Sequence, residues 1–212
     1  MSSSLVGSEM CIRDRGMGSE RAPRLIQLEW GSEDHPVLCL AGKGVVFDTG
    51  GLNLKSGDRM LNMKKDMGGS AHVLGLAQLI MAHQLPVRLK VFIAAVENMV
   101  SGRSYRPSDV IHTRRGLTVE IVNTDAEGRV VLSDALQLAC EAKPDLLIDF
   151  ATLTGAARIA MGPDVPPFFT NDTNIGQALL DAGQAVADPL WQMPLVDAYE
   201  RYLHSHVADL AN

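Results

Sequence analysis

The sequence contains little cysteine, and its few cysteines are far apart. The 212 residues include three, Cys11, Cys39 and Cys140, which is an odd number at wide spacing. Apolar residues make up 46% of the chain, enough for a large core, so the fold does not depend on disulfide bonds. Cys39 and Cys140 lie in apolar segments, and we interpret the cysteines as reduced core thiols of a cytoplasmic protein.

Positive charge and long apolar runs are also scarce. The chain has 19 Lys and Arg residues against 25 Asp and Glu residues, and no segment interleaves basic with aromatic residues. This balance argues against binding to a phosphate backbone. No apolar run approaches the ~18 residues of a transmembrane helix, and none resembles the hydrophobic part of a signal peptide. We therefore expect neither a membrane nor a nucleic acid as partner.

Within the first 20 residues, the segment SLVGSEMCIRDRG, residues 4–16, lacks both helical and strand periodicity. The segment EMCIRD, residues 9–14, resembles the in-frame translation of an adapter used in sequencing libraries. We interpret residues 1–20 as a non-native leader and exclude them from fold reasoning; an ordinary disordered leader is the alternative. An unbroken genomic reading frame through residues 9–14 would contradict the adapter origin.

From Arg21 onward, short apolar runs alternate with amphipathic segments, which is typical of an α/β protein. The pattern predicts strands at residues 37–41, 44–47, 89–96, 117–122 and 146–150. It predicts helices at residues 68–84, 130–142 and 175–187, and an amphipathic segment at 196–206. Residues 89–96 are almost continuously apolar, as in a strand buried on both faces. We take residues 68–84 as a crossover helix between strands.

Four carboxylates lie at predicted strand ends or just before predicted helices: Asp48, Asp66, Asp125 and Glu127. Functional sites of α/β sheets usually form there. Four such groups in one place would repel each other unless cations neutralised them. Two divalent ions would balance the charge, and oxygen ligands suit Mn, Zn, Mg or Co, of which we favour Mn or Zn. Scattered turn residues are the alternative.

Three local patterns have simpler interpretations. The triplet DTG, residues 48–50, resembles that of aspartic proteases, but the second triplet which their chemistry requires is absent. The segment GKG, residues 42–44, lacks the spacing of a phosphate-binding loop. The residues Asn123, Thr124 and Asp125 suit a surface turn, but a turn leaves Glu127 and Arg129 unexplained.

Two motifs together resemble those of the leucyl aminopeptidase family, the two-metal enzymes also called cytosol aminopeptidases. They are GKGVVFDTGG with the following KKDMGGSA, and NTDAEGR. The similarity extends over residues 21–212 and includes VENMVSGRSYRPSDVI, DFATLTGAA and FFTND. It implies a three-layer α/β/α fold with a central mixed, mostly parallel sheet, like that of zinc-peptidase catalytic domains. Hexameric assembly in the cytoplasm is also implied.

The resemblance assigns roles to seven charged residues in and between the two motifs. It implies that one metal is held by Lys43, Asp48, Asp66 and Glu127, and the other by Asp48, Asp125 and Glu127. Lys55 would stabilise the oxyanion, and Arg129 would hold a bicarbonate ion that acts as general base. A hydroxide between the two metals would attack the peptide carbonyl.

The resemblance also implies a substrate pocket. Its apolar lining would come from Met63, Thr152 and Gly155, while the Leu153 carbonyl would help to hold the substrate amine. Peptides with leucine or another apolar residue at the N-terminus are the expected substrates. We expect residues 21–212 to be a catalytic-domain fragment that is incomplete at its C-terminus and lacks the family's N-terminal domain. An inactive fragment and a non-catalytic DNA-binding regulator of the same family are the alternatives.

Overall fold

The computed structural model describes residues 2–6, 12 and 16–212, which form two units. The first unit contains the described residues up to Leu153 together with His204–Asn212, and the second contains Thr154–Leu203. Among the described residues, none of the helices has the length and hydrophobicity that a membrane span requires.

The first unit is built on a five-stranded mixed sheet. Its strands are β1 (Ser2–Val6), β2 (Arg24–Trp30), β3 (Val37–Asp48), β4 (Arg88–Asn98) and β7 (Leu146–Phe150). Their order is β1-β2-β4-β3-β7, in which β2 runs antiparallel to both β1 and β4, whereas β3 runs parallel to β4 and β7. A smaller sheet joins β5 (Val110–His112), β6 (Thr118–Glu120) and β10 (Leu210–Ala211).

Helices cover both faces of the five-stranded sheet. The first unit contains α1 (Gly57–Met60), α2 (Gly68–Ala82) and α3 (Glu127–Glu141), with 3-10 turns at Met63–Met67 and Thr124–Ala126. On one face, Val73, Ala77 and Ile80 of α2 pack with Leu40 of β3 and Val91 of β4. On the other face, three α3 residues pack against alternate positions of the same strands, namely Val131, Ala135 and Ala139. The predicted α/β/α layering is therefore confirmed.

Two glycines allow α2 to approach the sheet closely. A Cβ atom on Gly69 would lie 2.0 Å from the carbonyl oxygen of Phe150 in β7. A Cβ atom on Gly42 of β3 would lie 2.8 Å from the Cα atom of Ser70. Since no side chain fits at either position, the start of α2 rests directly on β3 and β7, and this contact places Asp66 beside the sheet.

The second unit is smaller and contains short elements. These are α4 (Ala156–Met161), β8 (Pro167–Phe168), α5 (Thr173–Ala185), β9 (Trp191–Gln192) and a 3-10 helix at Asp197–Leu203. β8 and β9 pair in parallel. The Asp172 carboxylate caps α5 by accepting hydrogen bonds from the backbone N–H groups of Asn174 and Ile175, at 2.8 and 3.1 Å.

Several boundaries differ from the sequence prediction. Residues 37–41 and 44–47 form one strand, β3, because the intervening glycine allows close contact with α2 instead of ending the strand. Helix α3 begins at Glu127, three residues before the predicted start, so Glu127 and Arg129 lie in its first turn. The predicted strand at 117–122 is the three-residue β6. Strand β7 has the predicted bounds, 146–150.

The prediction for the cysteines is correct for one residue and wrong for another. Cys39 is buried in β3, and this burial raises the pKa of its thiol to about 11. Cys140 is exposed because it lies on the outer side of α3, next to the buried Ala139. Cys11 lies outside the described residues.

Part of the segment excluded from fold reasoning has a defined place in the structure. Ser2–Val6 forms β1, which pairs antiparallel with β2, and Ile12 is 2% exposed within the core. A strand held by backbone hydrogen bonds does not require alternating side chains, so periodicity could not reveal it. The remaining residues of the adapter-like segment, 9–11, 13 and 14, lie outside the described part of the chain. Its non-native origin stays a prediction.

Candidate metal centre

Lys43 lies at the centre of a buried cluster of acidic groups. It is 2% exposed, and its Nζ atom lies 2.9 Å and 2.8 Å from the two carboxylate oxygens of Asp66. The same atom lies 3.2 Å from Oε1 of Glu127 and donates to the backbone carbonyl of Thr152 at 2.7 Å. The middle of β3 therefore presents an amine to two carboxylates from different elements.

A second lysine, Lys55, joins two further carboxylates. Its Nζ atom lies 2.7 Å from Oδ2 of Asp48 and forms a short ion pair with Asp125. Burial by itself lowers the pKa of Lys55, but hydrogen bonds to Asp125 and Asp48 outweigh this effect and raise the pKa above its ordinary value. The side chain remains 12% exposed, so Lys55 lies between the buried cluster and solvent.

Three of the carboxylates are close enough to share a metal ion. Asp48, Asp66 and Glu127 each place one oxygen within 4.8 Å of the others, and each residue is at most 4% exposed. Asp125 is outside this group of three, although it shares Lys55 with Asp48. Four carboxylates and two ammonium groups leave the site with an excess of negative charge.

The donor atoms fit a divalent cation. Oδ2 of Asp66 is buried and accepts no hydrogen bond from the described residues; Lys43 Nζ is near it but outside hydrogen-bond geometry. Burial raises the pKa of Glu127 to about 7, with Asp48 and Asp66 adding to the rise and Lys43 opposing it. Burial also raises the pKa of Asp125, despite its hydrogen bond with Lys55. A bound cation would relieve the carboxylate repulsion and use the unpaired oxygen.

The NTDAEGR segment holds its two acids by turning from a loop into a helix. The Asn123 side chain accepts a hydrogen bond from the backbone N–H of Asp125 at 2.8 Å, which caps the 3-10 turn. Helix α3 then starts at Glu127, so that Asp125 and Glu127 follow one another on a tight turn. The turn interpretation of the motif and its metal-ligand interpretation are therefore compatible.

Two buried residues that the sequence did not identify support this arrangement. The Asn98 side chain donates to Oδ1 of Asp48 at 2.8 Å and to the Thr124 carbonyl at 3.0 Å. Thr124 is 0% exposed, and its hydroxyl lies 2.6 Å from the Gly50 carbonyl and accepts from the Asn53 backbone at 2.8 Å. Both residues lie within motifs quoted above, but no local pattern indicates their supporting role, since each contact joins segments more than 20 positions apart.

An open cleft lies beside Lys55 and Asp125. Its volume is about 430 Å³. It is lined by Asn53, Leu54, Lys55, Ser56, Arg59, Asn123 and Asp125. The cleft is large enough to hold a small organic group next to the charged cluster.

The other predicted site residues occupy varied environments. Arg129 is exposed in the first turn of α3 and forms no ion pair within the described ranges. Met63 is half-buried at the start of a 3-10 turn, and the Thr152 hydroxyl donates to Oδ1 of Asp66 at 2.8 Å. Leu153 is 45% exposed. Gly155, in the second unit, immediately precedes α4 and is exposed.

The fold and the site together define an α/β protein with a candidate metal centre at the ends of its sheet strands. Residues 10–212 match the sequence model of the cytosol aminopeptidase family, catalytic domain, and the chain belongs to this family. The family inferred from the two motifs is thereby confirmed.

Individual relatives support the same assignment. The chain is 46% identical over 197 residues to a probable cytosol aminopeptidase of Syntrophotalea carbinolica. It is 46% identical over 200 residues to that of Rickettsia rickettsii, strain Sheila Smith. These matches cover 92% and 93% of the chain. A 1.8 Å crystal structure of the cytosol aminopeptidase from Coxiella burnetii superposes with a TM-score of 0.97, is 53% identical and matches 100% of the chain.

The chain is shorter than these relatives. It spans 40% of the length of each of the two curated relatives and 48% of the chain in the crystal structure.

Proposed function

We propose that the chain supplies the metal centre of an aminopeptidase that removes the N-terminal residue from peptides, with leucine and other apolar residues preferred. The observation that carries the proposal is the buried group of Asp48, Asp66 and Glu127, whose oxygens lie within 4.8 Å of one another. Membership of the cytosol aminopeptidase family supports peptide substrates. We include in the proposal a cytoplasmic location and assembly into hexamers, which the resemblance of the two motifs implies.

The donor residues form two overlapping sets, and each set suits one divalent ion. Mn or Zn is favoured over Mg or Co. One ion would be held by Lys43, Asp48, Asp66 and Glu127, and the other by Asp48, Asp125 and Glu127. Bound ions of this kind activate water and polarise a carbonyl group. To act as a ligand, Lys43 would have to give up its ammonium proton, and its contacts with Asp66 and Glu127 already direct Nζ towards this site.

Lys55 is the best-placed positive charge for the developing oxyanion. Its Nζ atom borders both the carboxylate cluster and the open cleft, in which a substrate carbonyl would lie. A charged donor in such a partly buried position stabilises negative charge in the transition state more than water does. Its ion pairs with Asp48 and Asp125 keep the ammonium group charged and fixed in place.

Arg129 is proposed to hold a bicarbonate ion that accepts the proton. The guanidinium group is exposed, and it lies in the first turn of a 15-residue helix, where the helix dipole favours an anion. A guanidinium group also binds a planar oxyanion through two parallel hydrogen bonds. These properties support the proposed bicarbonate site.

The substrate side chain and amine are assigned to residues near the start of α2 and the end of β7. Met63 offers a flexible apolar side chain, and the Thr152 methyl group faces Gly68, whose added Cβ would lie 3.1 Å away. The Leu153 carbonyl is proposed to hold the substrate amine, and Gly155 remains the predicted third pocket residue.

The proposal can be tested on the chain and on a chimera. In the chimera, the chain replaces the matching 48% of the Coxiella burnetii protein, so that the remaining length is supplied by the relative. We expect the chimera to bind two Mn or Zn ions per chain and to release leucine from leucyl amide, with activity lost on addition of a chelator. A parallel measurement on the chain alone shows whether the ions also bind when the segments supplied by the relative are left out.

The result that would contradict the proposal is specific. A folded chimera with two bound ions per chain that hydrolyses neither leucyl amide nor leucyl peptides would exclude the enzymatic function. Binding of duplex DNA by the same chimera would then favour the regulator alternative.

A further inference from the structure

Gly128 follows Glu127 in the first turn of α3 and lies against the end of the Lys43 side chain. An ideal Cβ atom on Gly128 would lie 2.5 Å from Cε, 2.7 Å from Nζ and 2.9 Å from Cδ of Lys43. Carbon atoms in favourable contact are separated by about 3.5–4.0 Å. Any side chain at position 128 would therefore overlap with Lys43.

Lys43 has little freedom to avoid this overlap. The residue is 2% exposed, and Nζ lies between 2.7 and 3.2 Å from acceptors on Thr152, Asp66 and Glu127. A movement of Nζ away from Gly128 would lengthen these contacts and separate two buried carboxylates from the ammonium group that pairs with them. Loss of one partner from a buried ion pair is strongly destabilising, because it leaves a buried charge uncompensated.

The backbone at position 128 does not itself require glycine. The φ angle of Gly128 is not positive, and the residue occupies a regular helical position. Glycine is the least favourable residue after proline in a helix, so alanine would stabilise an isolated helix here. The space taken by Lys43 is the structural reason for glycine.

We propose that Gly128 is a positioning residue of the metal centre, because its missing side chain allows Lys43 Nζ to reach Asp66 and Glu127. The steric part of this inference depends only on the observed packing. Its consequence for metal binding rests on the proposed function. An alanine at position 128 would push the amine away from the carboxylates and thereby remove one ligand from the ion that Lys43 helps to hold.

A double-mutant cycle tests the steric part. We would measure the thermal unfolding midpoint of the 212-residue chain and of its Gly128→Ala, Lys43→Ala and double variants. Gly128→Ala should lower the midpoint by several degrees when Lys43 is present, and should leave it unchanged or raise it when Lys43 is replaced by alanine. Gly75→Ala is the matched control, because Gly75 is an exposed glycine in α2 with no described atom within 4 Å of its added Cβ.

The cycle has a clear contrary outcome. An equal loss from Gly128→Ala in both backgrounds would show that Lys43 is not the group that excludes a side chain, and would overturn the proposal. If Lys43→Ala does not fold, a crystal structure of Gly128→Ala decides instead. A separation above 4 Å between Lys43 Nζ and both Asp66 oxygens would support the proposal, and unchanged contacts would overturn it.

Calorimetric titration with Mn²⁺ tests the consequence. Gly128→Ala should weaken binding by about 10–100-fold, the usual effect of disturbing a group that orients a metal ligand. Gly75→Ala should bind as the unaltered chain does. Unaltered affinity in a folded Gly128→Ala variant would overturn the positioning role. If the unaltered chain binds neither Mn²⁺ nor Zn²⁺, the same titrations are made in the chimera, and the proposed metal site fails if the unaltered chimera binds neither ion. The unfolding cycle decides in either case whether Gly128 positions Lys43.

Discussion

The side-chain amide of Asn98, at the end of β4, donates a 2.8 Å hydrogen bond to Oδ1 of Asp48, at the end of β3. The same nitrogen donates to the Thr124 carbonyl at 3.0 Å and lies 3.5 Å from Oε2 of Glu127. Asn98 is 2% exposed. Asn98 therefore links the end of β3, which carries Asp48, with the turn that carries Asp125 and the helix start that carries Glu127.

We predict that Asn98→Ala weakens Mn²⁺ binding by about 10–100-fold, because Asp48 loses a side-chain donor that helps to orient its carboxylate. The change should also lower the free energy of unfolding by about 1–3 kcal/mol, since two buried acceptors, one of them a carboxylate, each lose one of their hydrogen-bond donors. Calorimetric titration and urea unfolding measure the two effects. Asn171→Ala, at an exposed asparagine, is the control, and equal affinities in both variants would refute the positioning role of Asn98.

Lys55→Ala and Asp125→Asn should separate oxyanion stabilisation from metal binding. Asp125→Asn keeps the side-chain shape but removes a ligand charge, so metal affinity and hydrolysis should fall together. Lys55→Ala removes a cation that pairs with Asp48 and Asp125, so metal affinity should not fall, while the rate drops about 10²–10³-fold.

Metal content by mass spectrometry and leucyl-amide hydrolysis by the chimera distinguish the two roles. Lys64→Ala, at an exposed lysine, serves as the control for loss of positive charge. Equal metal loss in the Lys55 and Asp125 variants would show that the division of roles is wrong.

Arg129→Ala should reduce the rate of leucyl-amide hydrolysis by about 10²-fold, the lower range for loss of a general base. Metal affinity should stay unchanged, because Arg129 is exposed and is not one of the proposed metal ligands. The dependence of the rate on added bicarbonate should disappear in the variant. Arg59→Ala removes a cation that lines the cleft and should keep this dependence; loss of the dependence in both variants would argue against a specific anion site at Arg129.

Gly69→Ala should destabilise the first unit by about 1–3 kcal/mol or more, the range for forcing extra atoms into a packed region. The added Cβ would lie 2.0 Å from the Phe150 carbonyl oxygen, which is a backbone atom that cannot rotate away. Gly75→Ala in the same helix should be neutral or stabilising by up to about 1 kcal/mol. Urea unfolding of both variants measures the difference, and similar stabilities would show that α2 can shift away from β7.

The sequence predicted the main elements where apolar periodicity was strong. The bounds of β7 were predicted, and α2 ends two residues before the predicted end, because a helix and a buried strand each leave a local pattern. The prediction was wrong where the role of a residue is set by its tertiary contacts and not by its neighbours in sequence. Glycine in β3 suggested a break, but it provides space for α2, and apolar residues around Cys140 suggested burial on a face of α3 that is exposed.

The sequence by itself determined the family, the α/β class and the acidic and basic residues that carry the proposed chemistry, because these depend on residue type and spacing within short motifs. Only the tertiary structure decided that Lys43 contacts Asp66 and Glu127 while Lys55 contacts Asp48 and Asp125. It alone identified Asn98, Thr124 and Gly128 as their neighbours. These contacts join strand ends and helix starts that are distant in sequence, and their geometry depends on strand order and close helix packing, which no local pattern records.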